Sequence, residues 1–123
     1  MILLAVLLLT ACQQPQEGTQ KMAYVNITAE QAKEIMDTQT GYVILDVREQ
    51  DEYNESHIPG AILIPYTQID QLAETKLTDK DQLILVYCRS GRRSKIAAES
   101  LVKLGYTNIK EFGGIIDWPY EVE

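Results

Sequence analysis

The sequence predicts an α/β domain on a mainly parallel sheet, and three observations lead there. The chain has 123 residues, 46% hydrophobic and 24% charged, the size and balance of one ordinary domain that can bury a core. From Lys21 onward, short apolar runs alternate with helix-like patterns separated by turn residues, with no repeat or low-complexity tract. Two of the runs, Tyr42–Leu45 and Leu83–Tyr87, are unbroken rather than alternating, as strands covered on both faces are.

Tyr24–Ile27 reads as a short first strand. Thr28-Ala-Glu-Gln31 has capping-box spacing, in which hydroxyl and amide each satisfy a free backbone N–H. It opens a helix that carries Ala32, Ile35 and Met36 on one side and ends by Gly41. Tyr42–Leu45 is the second strand, with Asp46-Val47-Arg48 at its carboxyl end, where functional groups collect in parallel sheets. Glu49–Tyr53 suggests a short acidic helix. His57-Ile-Pro-Gly-Ala61 forces an extended turn, because proline bars its predecessor from the helical region. Ile62–Ile64 is then the third strand, closed by Pro65.

Gln68–Thr75 reads as a helix with Ile69 and Leu72 inward, and Leu83–Tyr87, the most hydrophobic strand, is expected at the centre of the sheet. Cys88-Arg-Ser-Gly-Arg-Arg-Ser94 follows it directly. Ile96, Ala97, Leu101 and Leu104 then recur at helical spacing until Gly105 supplies a stop. Asn108–Phe112 is the last strand, and Gly113-Gly114 turns into a tail with Trp118-Pro119.

Residues 1–11 read as a signal peptide, 12–21 as a polar linker and 22–123 as the domain. Ile2–Leu9 is an apolar stretch of about eight residues, far short of the roughly 20 that span a bilayer, and fits a signal-peptide core. Leu9-Thr10-Ala11-Cys12 resembles the lipobox of bacterial lipoproteins, in which the cysteine is lipidated and becomes the new N-terminus. The segment departs from that pattern in having no basic residue before Lys21. An acylated Cys12 implies a membrane anchor and an exported protein in the cell envelope; the alternative is a soluble periplasmic or secreted protein. Gln13–Gln20 has no apolar side chain to bury and suits a flexible tether.

The net charge of −7 argues against a nucleic-acid partner, whose phosphates are held by clustered Lys and Arg. Two cysteines and one histidine suit neither a disulfide scaffold nor a multi-ligand metal site, so neither a metal nor a cofactor is expected. The chemistry falls to Cys88. A cysteine between a buried strand and a helix N-terminus meets the free amides of the first turn and the positive end of the helix dipole. Both favour thiolate over thiol. Gly91 lets successive N–H groups curl inward as an anion nest. Of the chain's 11 basic residues, Arg89, Arg92, Arg93 and Lys95 fall within this short stretch, a positive patch on an acidic body.

With these motifs in place, the chain resembles a single-domain rhodanese, a sulfurtransferase, over nearly all of Met22–Tyr120. Asp46-Val-Arg-Glu49 matches the family's Asp-x-Arg segment, and His57-Ile-Pro-Gly-Ala61 its His-x-Pro-Gly-Ala turn. Cys88-Arg-Ser-Gly-Arg-Arg-Ser94 matches its active-site loop, with Gly113-Gly114 and Trp118 as the usual ending. The resemblance implies a five-stranded, mainly parallel sheet with helices on both faces. It also implies that Cys88 accepts a sulfane sulfur from a small anionic donor such as thiosulfate and passes it, as a persulfide, to a thiol or cyanide. Arg89, Ser90, Gly91, Arg92, Arg93 and Ser94 are then the substrate-binding loop, and Asp46 and Arg48 supports that orient it.

Arg93 leaves two readings open, contact with substrate or an ion pair with an acidic side chain such as Asp46 or Glu49 that holds the loop. His57 reads as a turn-fixing residue, Trp118 as a core plug, and Glu49, Asp51, Glu52 and Glu55 as a solvated helix face without a site. Two other functions compete. Phosphatases and arsenate reductases of this fold carry Cys-x5-Arg, whereas here that position is Ser94 and Arg93 comes one residue early. A non-catalytic envelope binding module is the third, although the loop cysteine is present.

Overall fold

The computed structural model describes residues 23–123. The elements run β1 (Tyr24–Asn26), α1 (Ala29–Thr38), β2 (Val43–Asp46), α2 (Gln50–Glu55), β3 (Ile62–Leu63), α3 (Ile69–Lys76), β4 (Ile84–Cys88), α4 (Arg92–Lys103) and β5 (Ile109–Gly114). The five strands form one parallel sheet in the order β1-β5-β4-β2-β3. The most hydrophobic strand, β4, is the central one, and all five of its residues are buried.

The alternation of side chains along β4 divides the core. Ile84, Val86 and Cys88 face α3 and α4, where Ile69, Ala73, Ala97, Ala98 and Leu101 cover them. Leu85 and Tyr87 face the other way, toward Ala32 and Ile35 of α1 and toward Ile58 and Phe112. Helices thus cover both faces, as the family resemblance implies. In α4 the inward stripe is Ser94, Ala97, Ala98 and Leu101. Ile96, expected inward, is 37% exposed, because the small pair Ala97-Ala98 lets the helix lie close to the sheet and turns its neighbour out.

Thr28 caps α1 as its spacing predicts: its hydroxyl accepts from the Gln31 N–H, and the Gln31 side chain accepts from the Thr28 N–H. The turn histidine binds the chain's far end. His57 stacks on Tyr53, with ring centroids 3.8 Å apart, and exchanges two backbone hydrogen bonds with Glu123. Trp118 is half-buried against Phe112 and Tyr120, at the edge of the α1-side core. The residues read as a signal peptide and linker, Cys12 among them, lie outside the described residues. Among those described, no helix is long and apolar enough to cross a membrane.

Candidate active site

Sequence spacing places Cys88 directly after its strand; in the structure it is the last residue of β4 and only 1% exposed. The cause is a step in the ladder with β5. Val86 pairs with Glu111 but Cys88 with Gly114, so β5 spends one more residue than β4 across that interval. The strand therefore holds Cys88 while its Sγ meets the loop that follows.

That loop curls over the sulfur. Gly91, at φ 109°, adopts the left-handed conformation that only glycine takes without strain, and its N–H points at Cys88 Sγ, 3.0 Å away. Helix α4 starts at the next residue, and Ser94 Oγ, in its first turn, lies 3.3 Å from the same sulfur. Burial pushes the Cys88 thiol up. Hydrogen bonds from the Ser94 hydroxyl and from the backbone of Ser94, Gly91 and Ser90 outweigh it and hold the thiol below its ordinary value. The second glycine of the Gly113-Gly114 pair is required by packing: a Cβ there would lie 1.8 Å from the carbonyl oxygen of Arg89. That carbonyl also accepts from the Ile116 N–H, so the β5 exit and the loop are locked together.

The basic residues of the loop part ways. Arg93 forms a two-pronged ion pair with Glu52 of α2, at 2.6 and 2.9 Å. The pair is the loop-holding reading of Arg93 with an acid other than the two given as examples, Asp46 and Glu49, and it draws one member of the supposedly solvated acidic face into the site's framework. Glu52 also accepts from the Glu49 N–H, and the Arg93 guanidinium chiefly holds its carboxyl at about 2. Among the described residues no ion pair involves Arg89 or Arg92, both exposed at the mouth of the loop. The Arg92 guanidinium lies over the Tyr66 ring, 5.9 Å from its centre. Arg89 shares a cleft with Arg48, Glu52, Ser56, Ile115 and Ile116. Ser90 is exposed at the turn, and Lys95 reaches back toward the Gly91 carbonyl.

Asp46 and Arg48 are buried and bound to one another. Arg48 Nη2 sits 2.7 Å from Asp46 and donates to the Ser56 carbonyl at 2.6 Å. The other link from Asp46 is to the Tyr87 hydroxyl, whose oxygen accepts from the Ile58 N–H. The pair thus fastens the α2–β3 segment to the sheet, and Arg48 lines one cleft together with Arg89 of the Cys88 loop.

Three contributors were not singled out from sequence: Tyr87, Glu52 and Glu111. A signal existed for each. Tyr87 is a phenol at the end of a buried strand, whose hydroxyl needs a partner. Glu52 lies three residues after Glu49, at capping spacing. Glu111 is a charged residue in phase with the core residue Ile109 on the last strand; it is 2% exposed, and its carboxylate accepts from Ser94 at 2.7 Å. No cluster of metal-ligating side chains occurs among the described residues.

Comparison with known proteins agrees with this geometry. A family model described as a rhodanese-like domain matches residues 28–119. Thiosulfate sulfurtransferase PspE of Escherichia coli is 38% identical over 73 residues, 59% of this chain and 70% of that protein. Thiosulfate sulfurtransferase GlpE of Coxiella burnetii is 34% identical over 98 residues, 79% of this chain and 89% of that protein. Among solved structures, a rhodanese with anions from E. coli superposes with a TM-score of 0.63 at 34% identity, covering 67% of this chain and 96% of the other. A rhodanese-related protein from Thermoplasma volcanium gives 0.69 at 32% identity, covering 81% and 98%.

Proposed function

The chain belongs to the rhodanese-like domain family and is a sulfurtransferase, and from that premise we propose that Cys88 carries the sulfur as a persulfide taken from thiosulfate or a similar anion. The observation that carries this reading is the Gly91 N–H aimed at Cys88 Sγ from the start of α4, with the Ser94 hydroxyl beside it. A site that favours a thiolate also favours a persulfide anion, since both need donors around a negative sulfur.

In the first half-reaction the thiolate attacks the outer sulfur of the donor. The donor's S–S bond breaks, sulfite leaves with the electron pair, and Cys88 holds the persulfide. In the second, a thiol or cyanide attacks the outer sulfur and Cys88 leaves as thiolate. Arg89 and Arg92, exposed and outside any ion pair, receive the anionic donor, while the loop's backbone amides meet the sulfur. Arg93, held by Glu52, braces the loop. That bracing disfavours the phosphatase alternative, which needs a loop arginine free to close on a tetrahedral oxyanion. The exported, Cys12-anchored location belongs to the same proposal and rests on the apolar core and lipobox-like residues alone.

The deciding experiment incubates the protein with thiosulfate and follows intact mass, with hydrolysis of an aryl phosphate in parallel. A gain of one sulfur mapping to Cys88 supports the reading. No gain, or phosphate release that depends on Cys88, overturns it.

A further inference from the structure

Two arginines at the start of α4 are positioned by different means. Arg93 is gripped by both oxygens of Glu52, and two of its nitrogens spend donors on that carboxylate. Arg92, the first residue of the helix, has no acidic partner among the described residues. Its guanidinium lies instead over the ring of Tyr66, 5.9 Å from the centre. The negative face of an aromatic ring attracts a guanidinium but carries no net charge to cancel the cation's. An ion pair positions an arginine and neutralises it. A ring positions it and leaves its charge and its fork of N–H donors to a ligand.

The placement of Tyr66 suits that task. It follows Pro65 and opens a single 3-10 turn, Tyr66–Gln68, beyond the carboxyl end of β3. Its N–H donates to the carbonyl of Val47, the residue after β2, so it stands at the same edge of the sheet as Cys88, the last residue of β4. The side chain is half-buried against the core beneath α3 and α4, which fixes the ring. The hydroxyls of Tyr42, Tyr53, Tyr87 and Tyr106 donate to carbonyl or carboxylate oxygens. That of Tyr66 has no such partner among the described residues, so the ring face is what Arg92 meets.

We propose that Tyr66 is a positioning residue for the anionic sulfur donor, its ring holding the Arg92 guanidinium at the loop mouth with its charge intact. The inference rests on the reading above in which Arg92 receives the donor. Tyr66 acts through Arg92: it narrows the conformations that a long, exposed side chain otherwise surrenders on binding. The gain goes to a negatively charged reactant and not to a neutral one of the same shape.

Thiosulfate kinetics and alkylation of Cys88 test this together. In Tyr66→Leu the KM for thiosulfate is expected to rise roughly two- to fivefold, the value of an exposed cation–π contact, with kcat unchanged. Tyr66→Phe keeps the ring and should match wild type. In an Arg92→Ala background, Tyr66→Leu should add nothing. A wild-type KM in Tyr66→Leu, an equal loss in Tyr66→Phe, or an undiminished effect without Arg92 overturns the proposal. The alkylation arm needs no sulfur transfer, so it decides the matter even if the persulfide reading fails. Iodoacetate is an anion and iodoacetamide its neutral counterpart; the ratio of their rates on Cys88 is expected to fall roughly two- to fivefold in Tyr66→Leu and to hold in Tyr66→Phe. An unchanged ratio in Tyr66→Leu overturns the proposal. Should that variant not fold, trifluorophenylalanine at position 66 keeps the ring's shape and depletes its negative face. It is expected to lower the ratio in the same way, and a ratio equal to that of Tyr66→Phe overturns the proposal.

Discussion

Arg93 and Glu52 bind each other through both guanidinium nitrogens and both carboxylate oxygens, which ties the first turn of α4 to α2. Both side chains are largely buried, at 17% and 25% exposed. Because the folded state holds Glu52 at about 2 against an ordinary 4.5, the pair's contribution is complete above about 4.5 and lost as pH falls through about 2. Denaturant unfolding between those limits is expected to show a stability loss that is missing in Glu52→Gln. At neutral pH the variant should be less stable by on the order of 1–2 kcal/mol, as for a half-buried, charge-assisted pair.

Cys88→Ser is expected to abolish sulfur transfer and leave the thermal midpoint within a few degrees of wild type. The replacement keeps the shape of a side chain that contacts Ser94 and the Gly91 N–H. Thiosulfate:cyanide turnover and a thermal melt check the two halves of this expectation.

Arg89→Ala and Arg92→Ala should each raise the KM for thiosulfate by roughly three- to tenfold, the value of one exposed charge-assisted contact, with kcat little changed. Arg93→Ala should behave differently, lowering stability along with activity, because its partner is Glu52. Steady-state kinetics beside melting curves separate the two patterns.

Alkylation of Cys88 should be fast at neutral pH, with a midpoint below the ordinary cysteine value, and nearly insensitive to salt. The groups that overcome burial are the Ser94 hydroxyl and three backbone N–H donors, all inside the loop. A Debye length of about 3 Å at 1 M ionic strength screens exposed arginines and leaves such short internal contacts intact. A midpoint that climbs steeply with salt would assign the effect to Arg89 and Arg92 instead.

Metabolic labelling with a fatty acid is expected to mark the protein, and Cys12→Ser to remove the label and release the chain from membranes. Fractionation of the wild type wholly into the soluble phase would favour the plain secreted alternative.

What sequence made legible follows the physics of each signal. β4 announced itself because a strand buried on both faces must be apolar throughout, and α1 because Thr28 and Gln31 carry their caps with them. The Cys88 loop was readable because strand, glycine and helix start are contiguous. Contacts between elements were not: the partner of Arg93 sits on α2, where one glutamate among several looks no different from its neighbours. Cys88 entered the strand because of a ladder step with β5 that no local pattern carries. Ile96 sits beside an alanine pair, and periodicity alone cannot tell which side of such a narrow helix meets the sheet.

The strand order also governs when the thiol becomes reactive. Tyr24 of β1 is opposite Ile109 of β5, and β5 supplies one whole side of β4, so two of the four strand pairings await the last strand made. Pairings this distant along the chain close slowly. Until they do, Gly114 and Glu111 are absent from the neighbourhood of Cys88, and its sulfur behaves as an ordinary unfolded cysteine. A nascent or truncated chain that stops short of β5 keeps Cys88 at the ordinary cysteine value, so an alkylation midpoint below that value reports completed folding.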